Sequence, residues 1–152
     1  MTDVLHIINP ATEALIAELP SDDAAAVAAK VTRSRAAQPN WRDRPYADKP
    51  ACLKRFRDLL VNRMDDLALT LTSETGKPIS QCINELRNTP ARIDFFLEHT
   101  PTVTKPVVMN TEPSSAIVPG TANLDEVVSY EPLGTIANIS AWNYPYFIGS
   151  NV

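Results

Sequence analysis

The 152-residue sequence predicts an α/β fold, and three observations carry that expectation. The run from Gly134 to Ile139 gathers small and β-branched residues (Thr135, Ile136, Ala137, Ile139), the pattern of a strand buried on both faces. Upstream, long stretches place apolar residues at the three- and four-residue spacing of amphipathic helices. At the N-terminus, Asn9-Pro10-Ala11-Thr12 separates two β-rich runs, which is a hairpin signal.

Residues 4–8 and 15–19 supply the two arms of that hairpin. His6 shows no polar partner in the local sequence and reads as a strand or surface residue. Ser21 is expected to open the first helix, with Asp22 and Asp23 complementing the positive end of its dipole. The alanine-rich run through Val27 and Val31 favours helix, and Pro39 should stop it. After a turn from Trp41 to Pro45, Asp48 and Pro50 start a second helix. Its stripe is Leu53, Phe56, Leu60 and Met64, with Cys52 beside it as a small apolar filler. Arg55, Arg57 and Arg63 fall off the stripe, as on a solvated face. A third helix from Asp65 ends at Gly76, a natural C-cap, with Lys77 near the negative helix end. The fourth buries Ile79, Ile83, Leu86, Ile93 and Leu97, and Pro90 should kink or break it near Thr89. Cys82 has no partner that would stabilise a thiolate and reads as structural. Residues 100–120, with four prolines, suggest an extended surface segment, followed by a strand through Val127, Val128 and Tyr130.

The Gly134–Ile139 strand is expected to end at Ser140 and Ala141, with Trp142 and Asn143 at the turn and Pro145 in the first turn of a new helix. Open α/β sheets bind ligands beyond the carboxyl ends of their strands. Here that place holds an indole, a carboxamide and the Tyr144 phenol in succession. Taken alone, the same residues also fit a helix N-cap at Asn143 and core packing at the aromatics.

The composition narrows the function classes. A formal charge of −4 with no basic stripe argues against nucleic acid as a partner. No apolar run is long enough to span a bilayer, and MTDVLH lacks the features of a leader. Cys52 and Cys82 form no metal-type pair and suit reduced thiols in the cytoplasm. Thirteen prolines against four glycines exclude a glycine-rich phosphate loop within these residues.

Three sequence words give a resemblance that spans the whole chain: INPAT at 8–12, ETGKP at 74–78, and EPLG followed by AWNYP at 131–145. In that order and spacing they resemble the N-terminal third of the aldehyde dehydrogenase superfamily. The resemblance implies that residues 1–152 are the N-terminal portion of an NAD(P)-binding, Rossmann-like domain. It also implies an oligomerisation segment at about 114–132 and a homo-oligomer, dimer or tetramer, in the complete protein. The implied reaction is attack of a cysteine thiolate on an aldehyde, hydride transfer to NAD or NADP, and hydrolysis to the acid. Asn143 corresponds to the residue that donates to the developing oxyanion, and Ile139, Ser140, Ala141, Trp142 and Asn143 to residues of the cofactor cleft. Ala141 replaces a frequent proline, and Glu13 a frequent glycine. Neither Cys52 nor Cys82 matches the catalytic cysteine, and Lys77 matches a structural position. The chain ends a few residues into the helix begun by Pro145, so it is expected to be part of a longer enzyme and inactive alone. The alternative is a truncated, non-catalytic module that associates with a full-length subunit.

Overall fold

The Asn9 side chain turns the N-terminus back on itself. In a computed structural model that describes residues 3–110 and 126–151, Asn9 Oδ1 accepts from the amides of Ala11 (2.9 Å) and Thr12 (3.2 Å). This Asx turn joins β1 (Val4–Ile8) to β2 (Leu15–Pro20) in the expected antiparallel hairpin. Glu13 adopts the left-handed conformation with φ of 60°, so the turn keeps a glycine-like geometry without the glycine. His6 does have a partner: its Nδ1 lies 3.1 Å from Glu18 Oε1, directly opposite on β2. The expectation of an unpartnered histidine missed it because cross-strand neighbours are distant in sequence.

Helix α1 (Ala24–Arg42) begins at Asp23, whose Oδ1 accepts from the Ala26 amide at 2.7 Å. Ser21 therefore does not open it. Nor does Pro39 stop it, since the Asp43 amide still closes onto the Pro39 carbonyl at 2.9 Å. A proline costs the bond that its own nitrogen would make, not the bond that its carbonyl accepts.

The core is built by α2 (Asp48–Asn62), α3 (Met64–Thr75) and α4 (Ile79–Val103). Leu60, Ala68, Leu71, Cys82, Leu86 and Ile93 are its buried residues, with Met64, Leu67, Ile83, Leu97 and Tyr146 packed around them. Gly76 ends α3 as expected, left-handed at φ of +72°, with its amide on the Thr72 carbonyl at 2.9 Å. A Cβ there would also stand 3.0 Å from Pro10 Cγ, so the hairpin turn and this corner pack against each other. Arg57 is not merely solvated: its guanidinium forks onto Asp94 of α4 at 3.0 and 3.1 Å. That carboxylate raises the Arg57 pKa above its ordinary value.

Of the kink or break expected near Thr89, the break does not occur: helix α4 runs unbroken through Pro90 and Pro101. Thr89 and Pro90 are both buried, so packing holds the helix across one missing ladder bond, and the Thr89 hydroxyl donates to the Glu85 carbonyl at 2.9 Å. The helix also reaches Val103, into the stretch expected to be extended. β3 (Val107–Asn110) then pairs antiparallel with β4 (Glu126–Val128). Tyr130 lies outside β4, and residues 114–125 of the expected oligomerisation segment lie outside the described residues.

The strand expected at Gly134–Ile139 is not formed. Residues 131–141 have neither helix nor strand, and Ile139 is 94% exposed. No described strand runs beside this segment, and a two-faced strand needs lateral partners to satisfy its backbone groups. Gly134, Thr135 and Ile136 instead line a hollow against Ser34, Ala37 and Trp41 of α1. The chain then enters α5 (Pro145–Gly149), with Pro145 at its start as anticipated. No described helix is long and apolar enough to cross a membrane.

The candidate site at the Trp142–Asn143 turn

Two residues far upstream fix this turn. Lys77 follows the left-handed corner of Gly76, which aims its side chain across the start of α4. Its Nζ donates to Glu85 Oε2 at 2.7 Å and to the backbone carbonyl of Asn143 at 2.8 Å. The same ammonium stands 3.6 Å from the centre of the Tyr144 ring, a cation–π contact. Glu85 spends its second oxygen on α5: Oε1 accepts from the amides of Tyr146 (2.9 Å) and Phe147 (3.1 Å). The Glu85 side chain has no exposed surface and that of Lys77 is 9% exposed.

This arrangement settles which group caps α5. The N-cap residue is Tyr144 and makes no side-chain cap bond, while a carboxylate from another helix takes the free amides. Asn143 is therefore not the cap that it could have been from sequence alone. Its side chain is exposed and makes no hydrogen bond to another described residue. Its backbone is held, and its carboxamide is free to donate.

The neighbouring candidates form one open strip. Ser140 is half-buried and its hydroxyl donates to the Pro145 carbonyl at 3.1 Å, while Asn138 Nδ2 donates to the Gly149 carbonyl at 2.9 Å. These bonds lay residues 138–140 back along α5. Ala141 is half-buried, Ile139 points out, and Trp142 is 77% exposed. Beyond α5, Arg92 of α4 donates to Asn151 Oδ1 at 2.7 Å. Burial, followed by the negative charges of Glu74 and Glu85, raises the Tyr146 phenol above its ordinary pKa.

Neither thiol is brought to Asn143. Cys82 is fully buried in the helical core, accepting from the Thr72 hydroxyl at 3.2 Å, and Cys52 is half-buried on α2. Glu85 is the residue that sequence reasoning passed over. A signal was present: positions 82, 85, 86, 89 and 93 follow one helix face, so Glu85 falls on the buried side between Cys82 and Leu86. A charge at such a position has to be paired.

A profile of the aldehyde dehydrogenase family matches residues 2–151. A 3,6-anhydro-alpha-L-galactose dehydrogenase from Streptomyces coelicolor is 33% identical over 144 residues, covering 95% of this chain and 27% of its own length. A succinate-semialdehyde dehydrogenase [NADP(+)] from Deinococcus radiodurans is 26% identical over 140 residues, covering 92% of this chain and 27% of the relative. The crystal structure of a succinate-semialdehyde dehydrogenase from Burkholderia pseudomallei superposes with a TM-score of 0.82 at 30% identity, covering 96% of this chain and 28% of that one. The chain thus spans little more than a quarter of the length of these relatives, in their N-terminal part, and the α/β class expected from sequence is shared with them.

Proposed function

The chain belongs to the aldehyde dehydrogenase family, and from that premise we propose that it forms part of an enzyme that oxidises an aldehyde to a carboxylic acid with NAD or NADP. The observation that supports this reading is the state of Asn143: backbone clamped by Lys77, side chain exposed and without a capping role. A carboxamide N–H held in that way can donate to the oxygen of an aldehyde as a cysteine thiolate attacks and negative charge develops. Trp142 and Ile139 would form one apolar wall that excludes water beside it.

The exposed faces of Ile139 and Trp142, with the backbone of Ser140 and Ala141, fit a dinucleotide as one side of its cleft. No cluster of glycines in these residues could cradle its phosphates. Bound NAD or NADP would accept the hydride. The nucleophile is assigned to neither Cys52, half-buried on α2, nor Cys82, sealed in the core. The 152-residue chain by itself is accordingly expected to produce no NAD(P)H from an aldehyde, which a mass-verified preparation would show. The two free thiols suit a reducing compartment, the cytoplasm.

In the full-length enzyme, Asn143→Ala should lower kcat by about 10²–10³, or roughly 2.7–4 kcal/mol, with little change in melting temperature. Asn143→Asp removes the donor and adds a repelling charge, so it should fare no better. Normal turnover by either variant would refute the oxyanion role. Residues 114–132 are assigned to subunit association, supported by the exposed valines 107, 108, 127 and 128 of the β3–β4 ribbon. Val128→Lys should shift the sedimentation profile of the full-length enzyme toward smaller assemblies.

A further inference from the structure

We infer that Glu85 and Lys77 act as a paired positioning device for Asn143, setting where its carboxamide stands during the reaction. The inference rests on the oxyanion reading of Asn143 above. The pair does something that packing alone could not. A buried ion pair contributes little net stability, since desolvation offsets its attraction, and apolar residues of the same volume would fill the space as well. What the pair adds is direction. Glu85 Oε1 fixes the amides of Tyr146 and Phe147, Oε2 fixes Lys77, and Lys77 Nζ fixes the carbonyl of Asn143 and the face of Tyr144. The backbone from 143 to 147 is thereby tied at both ends to a single carboxylate on α4, a helix anchored in the core through Cys82, Leu86 and Ile93.

The geometry also separates the two halves of Asn143. The clamp takes its backbone oxygen and leaves its side chain unbonded among the described residues. That is the arrangement a donor needs if it must be placed accurately without being occupied. Neither Lys77 nor Glu85 is assigned contact with substrate, and neither has exposure for it.

The test uses the full-length enzyme carrying these residues. Lys77→Met alone would strand a buried carboxylate and risk misfolding, so the informative variant is Lys77→Met with Glu85→Gln. It removes both charges together and leaves the new carboxamide oxygen on α4 to cap Tyr146 and Phe147. The expected result is a folded enzyme whose kcat falls by roughly 10–100-fold, as for a catalytic group displaced by about an ångström, with KM for the aldehyde held. Adding Asn143→Ala to this background should cost far less than it costs in the wild type, because both changes remove the same interaction. A folded paired variant with wild-type kcat overturns the inference. Losses that multiply independently with Asn143→Ala also overturn it, and leave the pair a structural role only. If Asn143→Ala alone keeps its kcat, the oxyanion reading fails first and the inference falls with it.

Discussion

The corner at residues 74–86 and the segment at 131–143 meet at one carbonyl, yet they are built in opposite ways. At the corner every demanding group is met: Gly76 takes the left-handed conformation, and Lys77 and Glu85 neutralise each other inside the fold. Along the segment, Leu133 is 92% exposed and Ile139 94%, and no described strand lies alongside. Apolar burial and satisfied polar groups make the first a scaffold. The second takes its position from the scaffold, through the Lys77–Asn143 bond and the contacts of Asn138 and Ser140 with α5. The candidate site thus stands on the borrowed side of the boundary, held in place by Lys77 and Glu85.

The difference can be broken most forcefully by removing bulk from each side. Leu86 has no exposed surface, and Leu86→Ala in the 152-residue chain should cost about 2–5 kcal/mol through lost contacts and a cavity. Ile139→Ser in the same chain should stay within about 0.5 kcal/mol, as surface substitutions do. Urea denaturation of the two variants gives the comparison directly. Equal losses would mean that Ile139 is packed as deeply as Leu86, and the contrast would collapse.

The parts that were legible in the sequence are those whose cause is local. The hairpin followed from Asn9 and Pro10, the α3 corner from Gly76, and the start of α5 from Pro145, because each depends on residues within one turn of it. The Gly134–Ile139 pattern was equally clear but describes a preference for neighbours, and a pattern cannot supply them. Pro90 shows the reverse: the break that a strong local rule allows gave way to burial around Thr89 and Pro90. At the candidate site, Trp142 and Asn143 were readable from the AWNYP word, whereas Glu85 was not, because its partners lie eight, 61 and 62 positions away. Long-range pairing of a charge leaves only the faint mark of a polar residue on an apolar face.

A smaller substitution tests whether the scaffold corner requires its glycine. Gly76→Ala meets two obstacles, a φ of +72° and a Cβ only 3.0 Å from Pro10 Cγ. The conformation alone should cost roughly 1–2 kcal/mol, and the hairpin must also give way by a few tenths of an ångström. Hydrogen exchange should quicken at Lys77 and across the start of α4, since the corner aims Lys77 at Glu85. An Ala variant as stable as the wild type would remove Gly76 from the account of how the clamp is oriented.

A small gain is expected where the hairpin turn still carries strain. Glu13 is the one described residue other than glycine with a positive φ, at 60°, in a turn already closed by the Asn9 carbonyl accepting from its amide at 2.8 Å. Left-handed backbone costs a residue with a Cβ roughly 1–2 kcal/mol. Glycine would relieve that cost but would lose more freedom on folding, a penalty of about 0.4–1 kcal/mol. Glu13→Gly should therefore raise stability by somewhere between nothing and about 1.6 kcal/mol, with a mid-range gain of about 0.8 kcal/mol. The surrounding turn gives no reason for further change, because the Glu13 side chain is exposed and forms no ion pair among the described residues. Thermal melts of the two chains would show the gain as a small upward shift. A fall instead would mean that the Glu13 side chain makes a favourable contact outweighing its strain. In that case this hairpin turn would belong with the satisfied corner it packs against at Gly76, and not with the places where the fold tolerates a cost.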